Sequence, residues 1–347
     1  MAKAEQQKVQ TESANIDLSA ALLETIVCPR DKQPLRLEAG KLHCSGDHSY
    51  AVVDGIPILL VKEERQTHTE GLRSLQVAET GDTSQMGDLD VVAGQIDPFV
   101  QDWIAATNGN MYRHLIGRLM EYPIPGLRLP PGNGASFLEI GCSWGRWCMA
   151  AARAGYRPVG IDPSLKGVRA AQRVARQLGI SAVYVVADGR YLPFRDGSFH
   201  QVFSYSVLQH LSPADVRDTL LEINRVLSTD GTTTVQMANA FGVRCLYHQV
   251  RRGFREAREF EVRYWTPQQL RTTFEAAIGP SHLLADGFFS LNAQLSDARF
   301  LPLPYRAIVY ASEMMRFLSI WLPPLSYLAD SLYISASRGI EPKGVRT

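Results

Sequence analysis

Cysteine is scarce in this chain, with five in 347 residues, scattered from Cys28 to Cys245. An odd, dispersed set cannot form the disulfide framework of a small secreted domain, so the chain reads as one that works in a reducing cytoplasm. A dominant charge is lacking too: 36 Lys and Arg against 35 Asp and Glu leave a net +1. Such a balance supplies no global field for bulk nucleic acid. No apolar run reaches the roughly 20 residues that span a bilayer. The nearest, 306–334, is interrupted by Glu313, Arg316, Pro323, Pro324 and Asp330. It reads as an amphipathic helix, a proline break and a strand, with core packing favoured over an acceptor cover or a peripheral membrane contact. Met1 to Gln10 lacks the apolar centre of a signal peptide, and no internal repeat is visible.

What is present is ordinary for a soluble protein with a sizeable core: 45% hydrophobic and 20% charged residues. The length suggests two domains. Residues 1–15 are polar and are expected to be a disordered tail. Residues 16–62 form a small β-rich module, in which Asp54-Gly55 is a turn between Tyr50-Ala51-Val52-Val53 and Ile56-Pro57-Ile58-Leu59-Leu60-Val61. Residues 63–96, rich in Glu, Thr, Ser, Gly and Asp, read as a linker. A second domain is expected over 97–347, divided into lid helices (97–134), a core (135–240) and an acceptor-side insertion with closing strands (241–347).

From Ala135 onward strands and helices alternate, which argues for an α/β fold with a mainly parallel sheet. Strands are expected at Ser136–Ile140, Pro158–Ile161, Ala182–Val186, Gln201–Tyr205 and Thr232–Met237, and helices at 144–154, 164–178 and 213–227. Phe137-Leu138-Glu139-Ile140-Gly141-Cys142-Ser143-Trp144-Gly145 is a strand, an acid and a tight glycine turn into a helix. Gly141 can take positive φ, and the helix N-terminus behind it offers free N–H groups to an anion. The G-x-G-x-x-G spacing of a dinucleotide site is absent. Instead Asp162 ends the second strand, suited to ribose hydroxyls, and Asp188-Gly189 follows the third, suited to an adenine amine.

Residues 135 to 239 resemble the class I S-adenosylmethionine-dependent methyltransferases, in particular the ubiquinone and menaquinone C-methyltransferase-like enzymes. The resemblance is carried by Glu139-x-Gly141, Asp162, Asp188, Leu192-Pro193-Phe194 and Ser198-Phe199 in combination. It implies a Rossmann-like seven-stranded sheet with helices on both faces, closed by Ser331 to Ser337 as an antiparallel strand. It also implies S-adenosyl-L-methionine as cofactor, with Glu139, Gly141 and Gly145 around the methionine part, Asp162 on the ribose, and Asp188 with Gly189 at the adenine. Ser204 joins this cofactor set. Ser143 stands where the family has a middle glycine, and His200 where it has an Asp.

Methyl transfer needs alignment and the exclusion of water, and a base only for some acceptors. His210 is the candidate base, and Tyr112, ahead of the first strand, a candidate for the lid over the sulfonium. Gln236 and Asn239 could hydrogen-bond the acceptor. Arg251, Arg255 and Tyr264, in a basic and aromatic insertion, suit an acceptor with an acidic head and an apolar body. The acceptor is therefore expected to be a small molecule, lipid-like or glycan-like. The rival readings are an RNA or protein methyltransferase with a fused activator, and a non-catalytic cofactor-binding partner protein.

Cys28-Pro29-Arg30-Asp31 and Cys44-Ser45-Gly46-Asp47-His48 resemble the zinc-ribbon-like activator subunits of tRNA and protein methyltransferases. Each knuckle lacks one cysteine of a Cys-x-x-Cys pair. The pattern therefore favours a module that keeps its shape without zinc, and leaves Cys28, Cys44 and His48, with an Asp, as the ligands zinc would use.

Overall fold

The computed structural model describes residues 18, 20–86 and 94–338, and the tail expected at 1–15 lies outside them. A short helix α1 (Ala20–Thr25) leads into four strands, β1 (Arg36–Glu38), β2 (Lys41–His43), β3 (Ser49–Val53) and β4 (Ile56–Leu59). Asp54 and Gly55, both at positive φ, make the tight turn between β3 and β4. These strands do not form a separate sheet. β4 pairs parallel with a strand of the second domain, Ile58 opposite Val186 and Leu59 opposite Ala187.

The stretch expected to be a linker holds a helix, α2 (Thr69–Thr80), begun by the His68 ring accepting the Glu70 N–H and ended by Gly81 at φ 70. Its apolar period is weak because its buried residues are Gly71, Ser74 and Val77. Hydrogen bonds hold it instead: the Ser74 hydroxyl donates to the Pro163 carbonyl at 2.6 Å and accepts the Leu165 N–H at 2.8 Å. After it, α3 (Pro98–Asn108) is capped by Asp97 and stops at Gly109, beyond which Asn110–Leu115 is a 3₁₀ turn. Within the stretch expected to hold lid helices, Gly109 at φ 100 thus ends the first one early.

The alternation then follows: β5 (Ser136–Ile140), α4 (Arg146–Arg153), β6 (Arg157–Asp162), α5 (Leu165–Gln177), β7 (Val183–Ala187), β8 (Phe199–Tyr205), α6 (Pro213–Val226) and β9 (Leu227–Ala238). α7 (Val243–Arg251) and α8 (Pro267–Ala277) precede β10 (Ser281–Gly287), and α9 (Leu303–Trp321) precedes β11 (Ser331–Ser337). Among the described residues the sheet has eleven strands, in the order β1-β2-β3-β4-β7-β6-β5-β8-β9-β11-β10. The expected seven are β7 to β10 in that order, with β11 antiparallel to both neighbours. The other four come from the N-terminal module, which pairs with β7 and so covers its otherwise open edge.

Strand order reverses between β5 and β8, the place where an open α/β sheet forms a crevice at its carboxyl ends. Apolar side chains fill both faces of the sheet, Leu138, Val185, Val202 and Val235 on one and Phe137, Val186 and Phe203 on the other. α9 departs from the core-packing expectation. It buries Val309, Ser312 and Ser319, while Leu303, Tyr310, Met314, Phe317 and Trp321 stay exposed.

Candidate active site

A cavity of about 580 Å³ opens at the carboxyl ends of β5, β6, β7 and β8. That volume lies within the usual range for a small-molecule site. Gly141, Ser143, Asp162, Asp188 and Gly189 line its sheet side, and His68, Glu70, Phe99 and Trp103 face them from α2 and α3. The residues of α2 were missed in the sequence because that stretch carries little apolar period.

The glycine turn has two steric causes. Gly141 has φ 80, and a Cβ there would come 2.4 Å from Val207 Cγ2; Gly145 has φ 79, with Tyr184 Oη 2.6 Å from where its Cβ would lie. Between them Ser143, a non-glycine at φ 46, donates its N–H to Asp162 Oδ2 at 2.9 Å. The Ser164 N–H donates to Asp162 Oδ1 at 2.9 Å. Two backbone donors thus fix both carboxylate oxygens and leave lone pairs toward the cavity. Burial still pushes this carboxyl above its ordinary value.

Asp188 is less free. Its oxygens accept the backbone N–H and the guanidinium of Arg190, whose Nη2 lies at 2.8 Å. Arg190 also reaches Asp215 at 3.0 Å.

Glu139 lines a narrow inward extension of about 30 Å³, together with Gly141, Ser143, Arg146, Tyr205 and Asn292. It accepts the Cys148 N–H at 2.7 Å, and burial pushes its carboxyl up to about 8. Arg146 is the residue that sequence reasoning overlooked. It is 5% exposed, and its Nε and Nη2 have no hydrogen-bond partner among the described residues. Its nearest anion is Asp297, at 3.6 Å. A cation at the first position of a helix opposes the helix dipole. Arg146 directly after Gly145 was the available signal of an anion site.

At the other end of the cavity, His210 donates Nδ1–H to the Phe260 carbonyl at 2.7 Å and stacks on the Phe260 ring at 4.2 Å. His68 meets the same ring edge-on at 4.6 Å. Burial lowers the His210 pKa below the ordinary imidazole value, assisted by Arg263 and His68. With Nδ1 carrying the proton, Nε2 of the neutral ring is a free acceptor.

Seven expected site residues stand elsewhere. Ser204 is fully buried and ties two strands by donating to the Ile140 carbonyl at 2.9 Å; Ser206 and Val207 line the cavity instead. Tyr112 is fully buried in the core, its hydroxyl without a hydrogen-bond partner among the described residues. Gln236 and Asn239 are fully buried: Gln236 donates to the Leu291 carbonyl, and Asn239 to those of Tyr327 and Ala329. Arg255 lies outside on the surface, in a two-point pair with Glu261 at 2.7 Å. Arg251 covers the Tyr247 ring, and Tyr264 lies under Arg252. From the insertion it is Phe260 and Val262 that reach the cavity.

The N-terminal module brings its own group together. The ligand atoms of Cys28, Asp31, Cys44 and His48 all lie within 4.8 Å of one another. His48 Nδ1 is 3.4 Å from Cys28 Sγ, 3.3 Å from Cys44 Sγ and 3.2 Å from Asp31 Oδ2, and Cys44 Sγ is 3.5 Å from that oxygen. Tetrahedral zinc with ordinary bond lengths requires edges of roughly 3.3 to 3.8 Å between such atoms. Gly46 makes room, since a Cβ there would sit 2.3 Å from Asp31 Oδ2. The residues therefore fit zinc, through the ligands that the spacing left open to it. Asp31 occupies the place of the missing knuckle cysteine and His48 supplies the fourth donor.

Comparison with known proteins agrees with this geometry. The methyltransferase-domain family matches residues 137–231, from β5 into β9. A ubiquinone biosynthesis O-methyltransferase of Agrobacterium fabrum is 33% identical over 86 residues, 25% of this chain and 34% of that protein. A UPF0434 protein of Burkholderia thailandensis is 47% identical over 53 residues, 14% of this chain and 78% of that protein. The chain thus carries a methyltransferase domain of the class I S-adenosylmethionine-dependent kind over these residues, with a UPF0434-family module in front. A solved S-adenosylmethionine-dependent methyltransferase of Methanosarcina mazei is 17% identical, covering 62% of this methyltransferase and 100% of that chain at a TM-score of 0.44. The chain spans between a third and about half of the length of three curated relatives it matches, 55%, 34% and 51%. Among the described residues no helix is long and apolar enough to cross a membrane.

Proposed function

We propose that this methyltransferase transfers a methyl group from S-adenosylmethionine to a small, largely apolar acceptor. The observation that carries the reading is the cavity itself: it is lined by Asp162 and Asp188 at successive strand ends and extends inward to Glu139 and Arg146. When bound, the cofactor supplies an electrophilic methyl on a sulfonium. Asp162 would accept from the ribose hydroxyls, and Asp188 with Gly189 would meet the adenine. Glu139 would hold the methionine ammonium and Arg146 its carboxylate, a pairing of opposite charges in a water-poor recess.

His68, Phe99, Trp103, His210 and Phe260 wall the remaining space. Such walls exclude water and align an aromatic or aliphatic acceptor. Where that acceptor is a hydroxyl or an acidic carbon, His210 Nε2 would take the proton that the acceptor loses on methylation. The acidic-headed acceptor inferred from Arg251 and Arg255 loses its support, because neither lines the cavity. Zinc, held by Cys28, Asp31, Cys44 and His48, would fix the module that extends the sheet beside β7.

Isothermal titration tests the reading. Demethylated cofactor should bind in the micromolar range and NAD should not. Asp162→Ala should cost about 2–3 kcal/mol of that affinity, the scale of hydrogen bonds to a charged acceptor. Tighter binding of NAD would overturn it.

A further inference from the structure

α7 is amphipathic the wrong way round. Cys245 is its one buried residue, anchored through its N–H to Asp330 Oδ1 at 2.8 Å. At 3.6 residues per turn, Val243, Leu246, Tyr247 and Val250 share an arc of about 100° on the side opposite Cys245. All four are exposed, by 45 to 57%, and Phe241 and Phe254 extend the apolar surface at either end. A surface helix normally turns such a stripe inward.

α9 repeats the pattern. Leu303, Tyr310, Met314, Phe317 and Trp321 recur at steps of three, four or seven along one exposed stripe. The two helices belong to one region. Asn239, just ahead of α7, donates to the carbonyls of Tyr327 and Ala329 in the segment that follows α9, and Asp330 in that segment anchors α7.

The unpaired charge along α7 is cationic. Residues 240–255 contain Arg244, Arg251, Arg252 and Arg255 and no Asp or Glu. Arg255 is paired with Glu261, and Arg252 packs on Tyr264. Arg244 and Arg251, exposed beside the stripe, make no ion pair among the described residues. The acid of α9, Glu313, is neutralised by Arg128 and Arg316. Apolar side chains flanked by unpaired cations, with Tyr and Trp among them, suit the boundary between anionic headgroups and acyl chains.

A port also opens here. Arg244 and His248 line a cavity of about 140 Å³ with Asn110, Leu291 and Asn292, and those last three line the cofactor cavity as well.

We propose that the exposed face of α7 and α9 docks on an anionic lipid bilayer, and that the acceptor passes from it along α7 into the cavity. The passage rests on the methyltransferase reading; the docking does not. The test is flotation of the full chain with vesicles of phosphatidylcholine alone and of phosphatidylcholine mixed with phosphatidylglycerol. The chain should float with the mixed vesicles, less so at high salt. Leu246→Ser with Val250→Ser should lower the bound fraction about tenfold or more, from the apolar area removed, while titration of demethylated cofactor stays unchanged. Failure of the wild-type chain to float with either vesicle overturns the proposal. So does a wild-type dimer in sedimentation that the double variant makes monomeric without changing flotation, since a second copy would then cover the face. Loss of cofactor binding in the wild-type chain would instead overturn the methyltransferase reading and leave the docking result standing.

Discussion

Replacing Glu139 by Gln tests whether a buried carboxyl is held in reserve for a cationic ligand. Burial raises its pKa from 4.5 to about 8, against the lowering effect of the Cys148 N–H and of Arg146. Between those two pH values the folded protein holds a proton that the unfolded chain has given up. Stability from this group is therefore full below about pH 4.5, falls as pH rises through the window, and levels off above about 8. The slope is about 1.4 kcal/mol per pH unit, a total on the order of 4 to 5 kcal/mol. The Gln side chain keeps the shape and an oxygen for the Cys148 N–H, but does not titrate. The variant should melt close to wild type at about pH 5 and above it near pH 8.5, the gap widening by about 3 °C per pH unit. The cofactor reverses the sign. A methionine ammonium beside Glu139 favours its ionised form, so binding near pH 7 should release up to about one proton, seen as a dependence of titration heat on buffer ionisation enthalpy. In Glu139→Gln that release should vanish and affinity fall about 30- to 150-fold, the worth of one charge-assisted pair. A melting gap that stays constant with pH, together with unchanged affinity, would refute the reasoning.

Other expectations are simpler. Purified protein should hold about one equivalent of zinc by elemental analysis, lost in Cys28→Ser; a metal-free chain with its N-terminal module intact would show that the four side chains meet without an ion. With an acceptor that must lose a proton, kcat/KM should rise with pH to a plateau through a pKa below 6.5, because burial depresses His210; His210→Gln should flatten that limb, and an unaltered profile would free His210 of the role. In the absence of vesicles, Arg251→Ala with Arg255→Ala should leave the KM of a soluble acceptor unchanged, whereas Phe260→Ala should raise it; the reverse outcome would place the cavity's acceptor end elsewhere.

The core of the fold was legible because its signals are local. Ser136–Ile140 is a strand with the bounds its pattern implied, α5 and α6 lie where the 3.6-residue period put them, and Ser331–Ser337 is the closing strand that the family resemblance implied. The placement of Asp162 and Asp188 was legible for a related reason: a carboxylate at the end of a parallel strand has its position set by the strand. Ser204 shows the limit of that rule. It sits one residue before the end of β8, and the alternation of a strand turns its hydroxyl onto the Ile140 carbonyl. Gln236 and Asn239 fail likewise, since polar residues late in a buried strand satisfy backbone groups of neighbouring segments as readily as a ligand.

What was not legible depends on contacts distant in sequence. α2 is held by Ser74 against Pro163 and Leu165, 89 and 91 residues away, so no period within it announces a helix. The zinc-competent group depends on Asp31 and Gly46 approaching across a turn, where a search for paired cysteines finds two broken knuckles. Arg146 is the instructive case, because its sequence position did carry information. An arginine at the first residue of α4 works against the helix dipole, and its buried Nε and Nη2 lack hydrogen bonds, with Asp297 at 3.6 Å offsetting only part of that cost. A residue that raises the energy of the empty site on both counts is retained most economically where a ligand lowers it again. The same logic covers Glu139, so the recess between them is prepared for a zwitterion, and of the two ends of the cofactor only the amino-acid end is one.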